Sequence, residues 1–445
     1  MITPIADFVR RYQEAGTVRF HMPGHKGASY LGCESWDITE VAGADALYEA
    51  DGIIAQSEAH ATALFGTQRT CYSTEGSSQC IRAMLYLAVT QQQRPNGAKP
   101  VIVAARNVHK TFVCAAALLD IDIVWLWPEQ QHSLCGCPVS AEQLETVLAA
   151  LVHPPAAIYL TSPDYLGGMA DIAALAAVAH RHGTILMVDN AHGAYLRFLQ
   201  PSLHPLDLGA DLCCDSAHKT LPVLTGGAYL HIGKGLPVGY AQHAKAALAM
   251  FGSTSPSYLT LASLDLCNRY LAQQAPQRLA ACVADIDRAK AQLRENHWQI
   301  EDSDPLRIAI CAPQSESGRS LADKLRAEGM ECEFADDTHL VLMLTPDNSP
   351  AELERLVQVL GCNSAPARAI MPQPVVQPKQ ALPMRQALFA AHEIVPAQAA
   401  LGRICGMPTV SCPPAIPIAV FGEEITAEMV ALFLRYGVTQ IDVLK

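Results

Sequence analysis

Short apolar runs alternate with longer amphipathic segments between residues 51 and 190. The runs at 100–104, 156–160 and 184–188 carry no charged residue, as expected of strands buried on both faces of a parallel sheet. The segments between them repeat apolar residues every three or four positions, which predicts helices. We therefore predict an α/β fold in which a mostly parallel sheet carries helices on both faces.

The same pattern divides the chain into three parts. Residues 1–50 show little periodicity and predict a largely extended N-terminal arm, whereas residues 51–275 form the large α/β domain. Residues 276–445 begin with a helical connector and continue, from about residue 298, as a smaller α+β domain. The stretch 372–380 is rich in Pro and Gln, which predicts a linker or loop.

Composition narrows the class of protein. Half of the 445 residues are hydrophobic and 17% are charged, which suits a globular enzyme with much buried surface. The net charge of −12 argues against a nucleic-acid partner, since phosphate backbones are bound by basic surfaces. The longest apolar run, 111–127, contains Asp120 and Asp122, so it predicts a helix and a strand rather than a membrane span. We expect a cytoplasmic protein without a membrane partner.

The chain contains 15 cysteines, but they lack the paired spacing of zinc sites. Cys135 and Cys137 are two residues apart, and Cys213 and Cys214 are adjacent. We interpret the cysteines as buried small hydrophobic residues of a reducing compartment, and we expect no metal site.

Three polar features stand where strands end or helices begin. Asp189 directly follows a predicted strand, and Lys219 lies 30 residues further on, in the sequence Ser-Ala-His-Lys. Gly76, Ser77 and Ser78 form a small-residue turn at a predicted helix start. These are the groups that pyridoxal 5'-phosphate (PLP) requires: a lysine for a Schiff base, a carboxylate that keeps the pyridine nitrogen protonated, and a turn that binds the phosphate.

Further motifs follow in order along nearly the whole chain. They are Phe20-His21-Met22-Pro23-Gly24-His25-Lys26-Gly27, Asp37-Ile38-Thr39-Glu40, Arg106-Asn107-Val108-His109-Lys110, Ser216-Ala217-His218-Lys219, Ser253-Thr254-Ser255-Pro256-Ser257-Tyr258, and Cys412-Pro413-Pro414-Ala415-Ile416-Pro417 followed by Gly422-Glu423. Together they resemble the motifs of the Orn/Lys/Arg decarboxylase family in its compact bacterial form. The resemblance implies the aspartate-aminotransferase-like fold of PLP enzymes (fold type I), with a smaller C-terminal α+β domain.

The resemblance also implies roles for individual residues. Lys219 would hold PLP as a Schiff base, Asp189 would pair with the pyridine nitrogen, and His109 would stack on the ring. His192 would reach the cofactor and serve, with Lys219, as a possible proton donor. The phosphate would be bound by Gly76, Ser77, Ser78, Ser216 and His218, and by Ser253, Thr254 and Ser255 of a neighbouring subunit. The chain would therefore form a homodimer with shared active sites, and larger assemblies are left open.

Substrate recognition is less clearly indicated, because the chain departs from the family there. Glu423 and Asp164 are candidate carboxylates for the amine of a basic amino acid, and Arg403 is a candidate for an α-carboxylate. Cys412 stands where the family has tyrosine, and Ala415 stands where it has glycine. These departures leave the identity of the substrate open.

The resemblance implies PLP-dependent decarboxylation of arginine, lysine or ornithine to an amine and carbon dioxide, a reaction of polyamine biosynthesis. One alternative is other PLP chemistry, such as transamination or β-elimination, which a substrate carboxylate bound to Arg403 would favour. The other is a PLP-fold protein with a non-catalytic binding role, against which the intact Lys219 argues. The role of Glu75, an acidic residue beside the phosphate turn, is also left open.

Overall fold

The computed structural model describes residues 1–92, 98–130, 133–366, 368, 375, 377–410 and 413–445. Its helices are α1 (Pro4–Glu14), α2 (Ile53–Phe65), α3 (Gly76–Gln91), α4 (Lys110–Leu118), α5 (Ala141–Ala150), α6 (Ile172–Arg181), α7 (Ala217–Thr220), α8 (Val238–Ala249), α9 (Tyr258–Gln273), α10 (Ala275–Glu295), α11 (Gly318–Ala327), α12 (Pro350–Leu360), α13 (Met384–Phe389) and α14 (Ala427–Arg435). Cys412 and part of the predicted loop 372–380 lie outside the described residues.

The described strands are shorter than most of the helices. They are β1 (Arg69–Ser73), β2 (Val101–Ala105), β3 (Asp122–Leu126), β4 (Ala157–Thr161), β5 (Leu186–Asp189), β6 (Leu212–Asp215), β7 (Ala228–Ile232), β8 (Gln299–Ile300), β9 (Arg307–Cys311), β10 (Phe334–Ala335), β11 (His339–Met343), β12 (His392–Pro396), β13 (Cys405–Met407) and β14 (Gln440–Leu444). The predicted alternation of strands and helices between residues 51 and 190 is confirmed. The runs at 100–104, 156–160 and 184–188 correspond to β2, β4 and β5, with boundaries shifted by about one or two residues.

Seven of the described strands form one mostly parallel sheet, in the order β1-β7-β6-β5-β4-β2-β3. β2 pairs in parallel with β3, and β5 with β6, whereas β7 runs antiparallel to both of its neighbours. The predicted α/β fold is therefore confirmed. The sequence pattern did not predict β7, because its apolar run is interrupted by His231, a polar residue that is fully buried in the fold.

Packing divides the chain into two compact units. The first comprises Met1–Pro95, Ala156–Ile158 and Ile172–Gln277, and the second comprises Asn96–Pro155, Tyr159–Asp171 and Arg278–Lys445. The domain limits at 1–50, 51–275 and 276–445 stay a prediction.

The first unit corrects one expectation about the N-terminal arm. Residues 4–14 are not extended but form helix α1, which begins with a proline at its first position and buries Ile5, Ala6 and Val9. The backbone N–H groups of Ile5 and Ala6 donate to one carboxylate oxygen of buried Asp265, at 2.9 and 3.0 Å. An acceptor 260 residues away therefore satisfies the free N–H groups of this helix start.

The second unit contains two small antiparallel sheets besides β2 and β3. Their strand orders are β10-β11-β9-β8 and β12-β14-β13. The second of these sheets packs on α14 through a buried cluster that includes Met429, Phe433 and Ile441. Within the described ranges, no helix is long and apolar enough to cross a membrane.

Candidate active site

Lys219 lies just after the end of β6, in the short helix α7. Its Nζ is 2.9 Å from Nε2 of His192, which follows β5 and is almost fully buried. Ser216 precedes α7, and its hydroxyl donates to Oγ of Ser77 at 2.8 Å. The Ser-Ala-His-Lys turn thus contacts both the residues after β5 and the start of α3.

Asp189 is the last residue of β5 and is 3% exposed. Its Oδ1 accepts hydrogen bonds from the backbone N–H of Ala191 at 3.2 Å and from Sγ of Cys214 at 3.6 Å. Because β5 and β6 are parallel, with Asp189 paired to Cys214, Asp189 and the Lys219 turn meet at the carboxyl edge of the sheet.

The phosphate turn at the start of α3 is open. Gly76 has a φ of +71°, and no atom lies within 4 Å of the position that a Cβ would take. The first turn of α3 has no side-chain cap, and the N–H of Gly76 donates to the carbonyl of Gly226 at 2.7 Å. The start of a helix favours an anion. Glu75 is exposed, and its carboxylate accepts the N–H of Ser253 at 2.5 Å. Glu75 therefore links the two hydroxyl clusters of the same chain.

The remaining predicted phosphate ligands differ in burial. His218 is partly buried and donates from Nδ1 to the carbonyl of Gly227 at 3.0 Å, and burial lowers the pKa of its imidazole. Ser253, Thr254 and Ser255 are exposed in the single chain. Whether they complete the site of a second subunit stays a prediction.

His109 belongs to the second unit, where it caps α4. Its Nδ1 accepts the N–H of Thr111 at 3.2 Å, which fixes the ring at the helix start. The predicted stacking of this ring on the cofactor stays a prediction.

Glu423, a candidate for the substrate amine, already has a buried partner. Its Oε2 lies 2.8 Å from Nη2 of Arg106, and both side chains are less than a tenth exposed. The Arg106 guanidinium also stacks over the rings of Trp125 and Trp127. Burial raises the pKa of Glu423, although Arg106 opposes this shift. These contacts describe a structural ion pair within the second unit, and they do not support contact with a substrate.

The other two substrate candidates are also engaged by the protein. Oδ1 of Asp164 accepts the N–H groups of Leu166 and Gly168 at 2.9 and 2.8 Å, closing a tight turn. Burial raises the pKa of Asp164 to about 6, against the effect of these hydrogen bonds. Arg403 donates to the carboxylate of Glu393 at 2.6 Å. Substrate roles for Asp164 and Arg403 stay predictions that their present contacts do not favour.

Of the two residues that depart from the family pattern, Ala415 and Cys412, the structure describes only Ala415. Ala415 has a φ of +58°, a conformation in which glycine is preferred. The family's glycine at this position therefore matches the backbone of this chain better than its own alanine does. Cys412, the other departure, lies outside the described residues.

Sequence reasoning missed a buried polar group beside the predicted site. Asp215, the last residue of β6, is fully buried and accepts hydrogen bonds from His204, His231 and Asn190. A signal was present, because Asp215 ends its strand just as Asp189 ends the preceding one.

The structure also contains two clusters with metal-ligand side chains among its described residues. One consists of His204, Asp215 and His231, and the other of Glu301, Cys311 and His339. The expectation that the protein has no metal site stays a prediction.

The residues of the first unit fit PLP. An uncapped helix start with an open glycine, two hydroxyl groups in mutual contact, a lysine amine and a buried strand-end carboxylate provide groups for its phosphate, aldehyde and pyridine nitrogen.

Comparison with known proteins agrees with this interpretation. Residues 3–312 match the model of the Orn/Lys/Arg decarboxylase major domain. The chain is similar to the arginine decarboxylase of Bacillus subtilis, with 27% identity over 97% of this chain and 93% of that protein. It is also similar to the uncharacterized B. subtilis protein YaaO, with 28% identity over 98% and 94% of the two chains.

The fold is similar to that of the Francisella novicida lysine decarboxylase LdcF. The TM-score is 0.81 at 16% identity, over 100% of this chain and 81% of that structure. This likeness concerns the fold, whereas the family match covers well over half of the sequence. The chain belongs to the Orn/Lys/Arg decarboxylase family, as its sequence motifs predicted.

Proposed function

We propose that this protein is a PLP-dependent decarboxylase of a basic amino acid, with arginine as its preferred substrate. The observation that carries the proposal is the contact between Lys219 and His192 at the sheet edge where Asp189 is buried. The family and its structural neighbours are PLP-dependent enzymes, which supports the same cofactor here. Arginine is proposed first because several relatives that match nearly the full chain are named arginine decarboxylase.

When bound, PLP would supply an electron sink for the electrons released as carbon dioxide leaves the substrate. Lys219 would hold the cofactor through Nζ, and Asp189 would keep a proton on its pyridine nitrogen. The N–H groups at the start of α3, with the hydroxyls of Ser77 and Ser216, would bind its phosphate.

His192 is suited to proton transfer at the reacting end of the site. Its Nε2 lies 2.9 Å from Nζ of Lys219, so a proton can pass between these two atoms within hydrogen-bond distance. We propose that one of the two returns a proton to Cα of the substrate after carbon dioxide departs. The alternative of transamination depended on Arg403, whose guanidinium is engaged by Glu393. The Arg403–Glu393 contact does not favour transamination.

The finer points of the proposal concern assembly and location. We propose a homodimer in which exposed Thr254 and Ser255 approach the phosphate site of the partner. Buried thiols such as Cys71 and Cys80 suit a reducing compartment, which supports a cytoplasmic location.

A substrate panel tests the proposal directly. Purified protein supplied with PLP is incubated with arginine, lysine, ornithine and an uncharged amino acid, and both carbon dioxide and the product amine are measured. We expect the parent protein to have its highest kcat/KM with arginine. The Lys219→Ala variant should release no carbon dioxide from any of the substrates. Borohydride reduction followed by peptide mapping should place the pyridoxyl group on Lys219. The proposal is wrong if none of the basic amino acids releases carbon dioxide, or if another lysine carries the label.

A further inference from the structure

A buried carboxylate with two histidine partners lies directly before the lysine turn. Asp215 is fully buried, and its Oδ2 accepts from Nε2 of His204 at 3.2 Å and from Nε2 of His231 at 3.0 Å. Both histidines are fully buried as well. A carboxylate held this far from water is costly unless hydrogen bonds compensate for its lost hydration, and here the two imidazoles do so.

Hydrogen bonds within the protein explain why His204 and His231 converge on Asp215. Nδ1 of His204 accepts the N–H of Leu206 at 3.4 Å, which leaves the proton of this ring on Nε2, facing Asp215. Nδ1 of His231 contacts the Thr70 hydroxyl at 2.9 Å, so Thr70 can donate to it while Nε2 donates to Asp215. Each ring nitrogen thus has a protein partner, and a metal ion is not needed to explain why these groups converge.

The other oxygen of Asp215 faces the catalytic turn after β5. Oδ1 accepts from Nδ2 of Asn190 at 2.8 Å, and Asn190 stands between Asp189 and the segment that carries His192. The backbone N–H of Asn190 also donates to the carbonyl of Cys214 at 3.0 Å. A Cβ on Gly193 would lie only 2.0 Å from Oδ1 of Asn190, so the glycine leaves the space that this side chain occupies.

Asp215 therefore joins two turns that are separate in sequence. Through its own backbone it leads into Ser216 and Lys219, and through Asn190 it holds the turn of Asp189 and His192. We infer that Asp215, clamped by His204 and His231, is a positioning residue that sets the spacing between these two turns. The inference rests on the proposed function only in calling those turns catalytic.

The test compares Asp215→Asn with Asp265→Asn. Asp265 is a matched control because it is also fully buried in the first unit, and it accepts hydrogen bonds from Ile5, Ala6 and Ser57 rather than from residues of the site. Hydrogen exchange is measured on both proteins without cofactor, in peptides covering 186–193 and 212–220. With PLP and arginine, kcat, KM and the visible circular dichroism of the bound cofactor are measured.

For Asp215→Asn we expect exchange in both peptides to rise about tenfold above that of the parent protein, because the bridge between the turns is lost. We expect kcat to fall at least about tenfold while KM stays within about threefold, with a weaker visible dichroism band. Asp265→Asn should lower thermal stability without these local effects. Equal exchange and equal kcat in the two variants would overturn the inference.

A second variant decides the matter if Asp215→Asn does not fold. Asn190→Ala removes the amide donor to Oδ1 and leaves the contacts of Asp215 with Cys213 and both histidines intact. It should loosen residues 189–193 and lower kcat, and unchanged exchange there would overturn the inference. Because exchange is read without cofactor or substrate, it stays decisive even if the parent protein fails to decarboxylate arginine, which would count against the proposed function alone.

Discussion

At the residue scale, the proposed decarboxylation depends on a few side chains, chief among them Asp189 and Lys219. Asp189 accepts hydrogen bonds from the backbone N–H of Ala191 and from Sγ of Cys214. Its carboxylate is buried at the end of β5, and we propose that it holds a proton on the cofactor nitrogen. His192 adds an imidazole within hydrogen-bond distance of the lysine amine.

Replacing Asp189 with Asn should leave cofactor binding in place and remove most of the activity. The amide keeps the size of the side chain but cannot stabilise a protonated pyridine nitrogen, so we expect kcat to fall on the order of 10²-fold or more. Absorbance of the bound cofactor checks binding, and steady-state kinetics check the rate. Asp207→Asn, on an exposed carboxylate paired with Arg197, is the control. Activity within a few-fold of the parent would show that Asp189 is not the partner of the nitrogen.

Ala415 permits a prediction about stability. Its φ of +58° is unfavourable for any residue with a Cβ, and the residue is mostly buried. Ala415→Gly should therefore raise the free energy of unfolding by about 0.5–1 kcal/mol, the balance of relieved strain and greater chain entropy. Urea denaturation measures the change. Ala284→Gly, at an exposed position in the middle of helix α10, should instead destabilise the protein, and a loss of stability at both positions would contradict the argument.

At the element scale, the ends of strands and the starts of helices carry the functional groups. β5 ends in Asp189, β6 leads into α7 and Lys219, and α3 begins at the open Gly76. A turn of different character follows β4, where Asp164 accepts two backbone N–H groups. There the carboxylate stabilises the turn by hydrogen bonding but resists ionisation because it is largely removed from water.

The turn after β4 should make stability depend on pH. Burial raises the pKa of Asp164 from 3.8 to about 6, so the folded protein binds its proton more tightly than the unfolded chain. Its contribution is then most favourable below about pH 4 and is lost as pH rises to about 6. Asp164→Asn keeps an acceptor for both N–H groups and removes the titration. We compare the free energy of unfolding of this variant with that of the parent. The variant's advantage should be about 1–3 kcal/mol larger at pH 8 than at about pH 4.

Unfolding by urea at the two pH values measures this difference. Asp302→Asn, an exposed carboxylate of the same unit, should show no such change. A pH dependence that persists in Asp164→Asn would place its origin elsewhere.

At the scale of the whole molecule, two separate hydroxyl clusters bear on assembly. Ser77 contacts Ser216 in the first unit, whereas Thr254 and Ser255 remain exposed in the single chain. The Glu75 carboxylate holds the backbone of Ser253 of its own chain, which fixes where this segment begins. The exposed hydroxyls that follow are available to a second copy of the chain.

A complementation experiment examines the shared site. A Lys219→Ala chain is mixed with a Ser255→Glu chain under conditions that allow subunit exchange, and differently tagged chains confirm that heterodimers form. If sites are shared, each heterodimer contains one site free of both changes. Random exchange of equal amounts makes about half of the dimers heterodimers, so activity should return to about a quarter of that of the parent protein. Heterodimers without activity would show that the Ser253–Ser255 segment serves its own chain.

The sequence by itself determined the alternation of strands and helices, the strand-end position of Asp189 and the turn that carries Lys219. Periodicity and turn chemistry act over a few residues, so they can be read locally. Only the tertiary structure decided which partners the polar groups have. Glu423 meets Arg106 across 317 residues, and Asp265 accepts the N–H groups that begin α1 from 260 residues away. A buried charged group requires a hydrogen-bond donor or acceptor in the folded protein. In these pairs the partner comes from a segment distant in sequence, so a local sequence pattern cannot predict it.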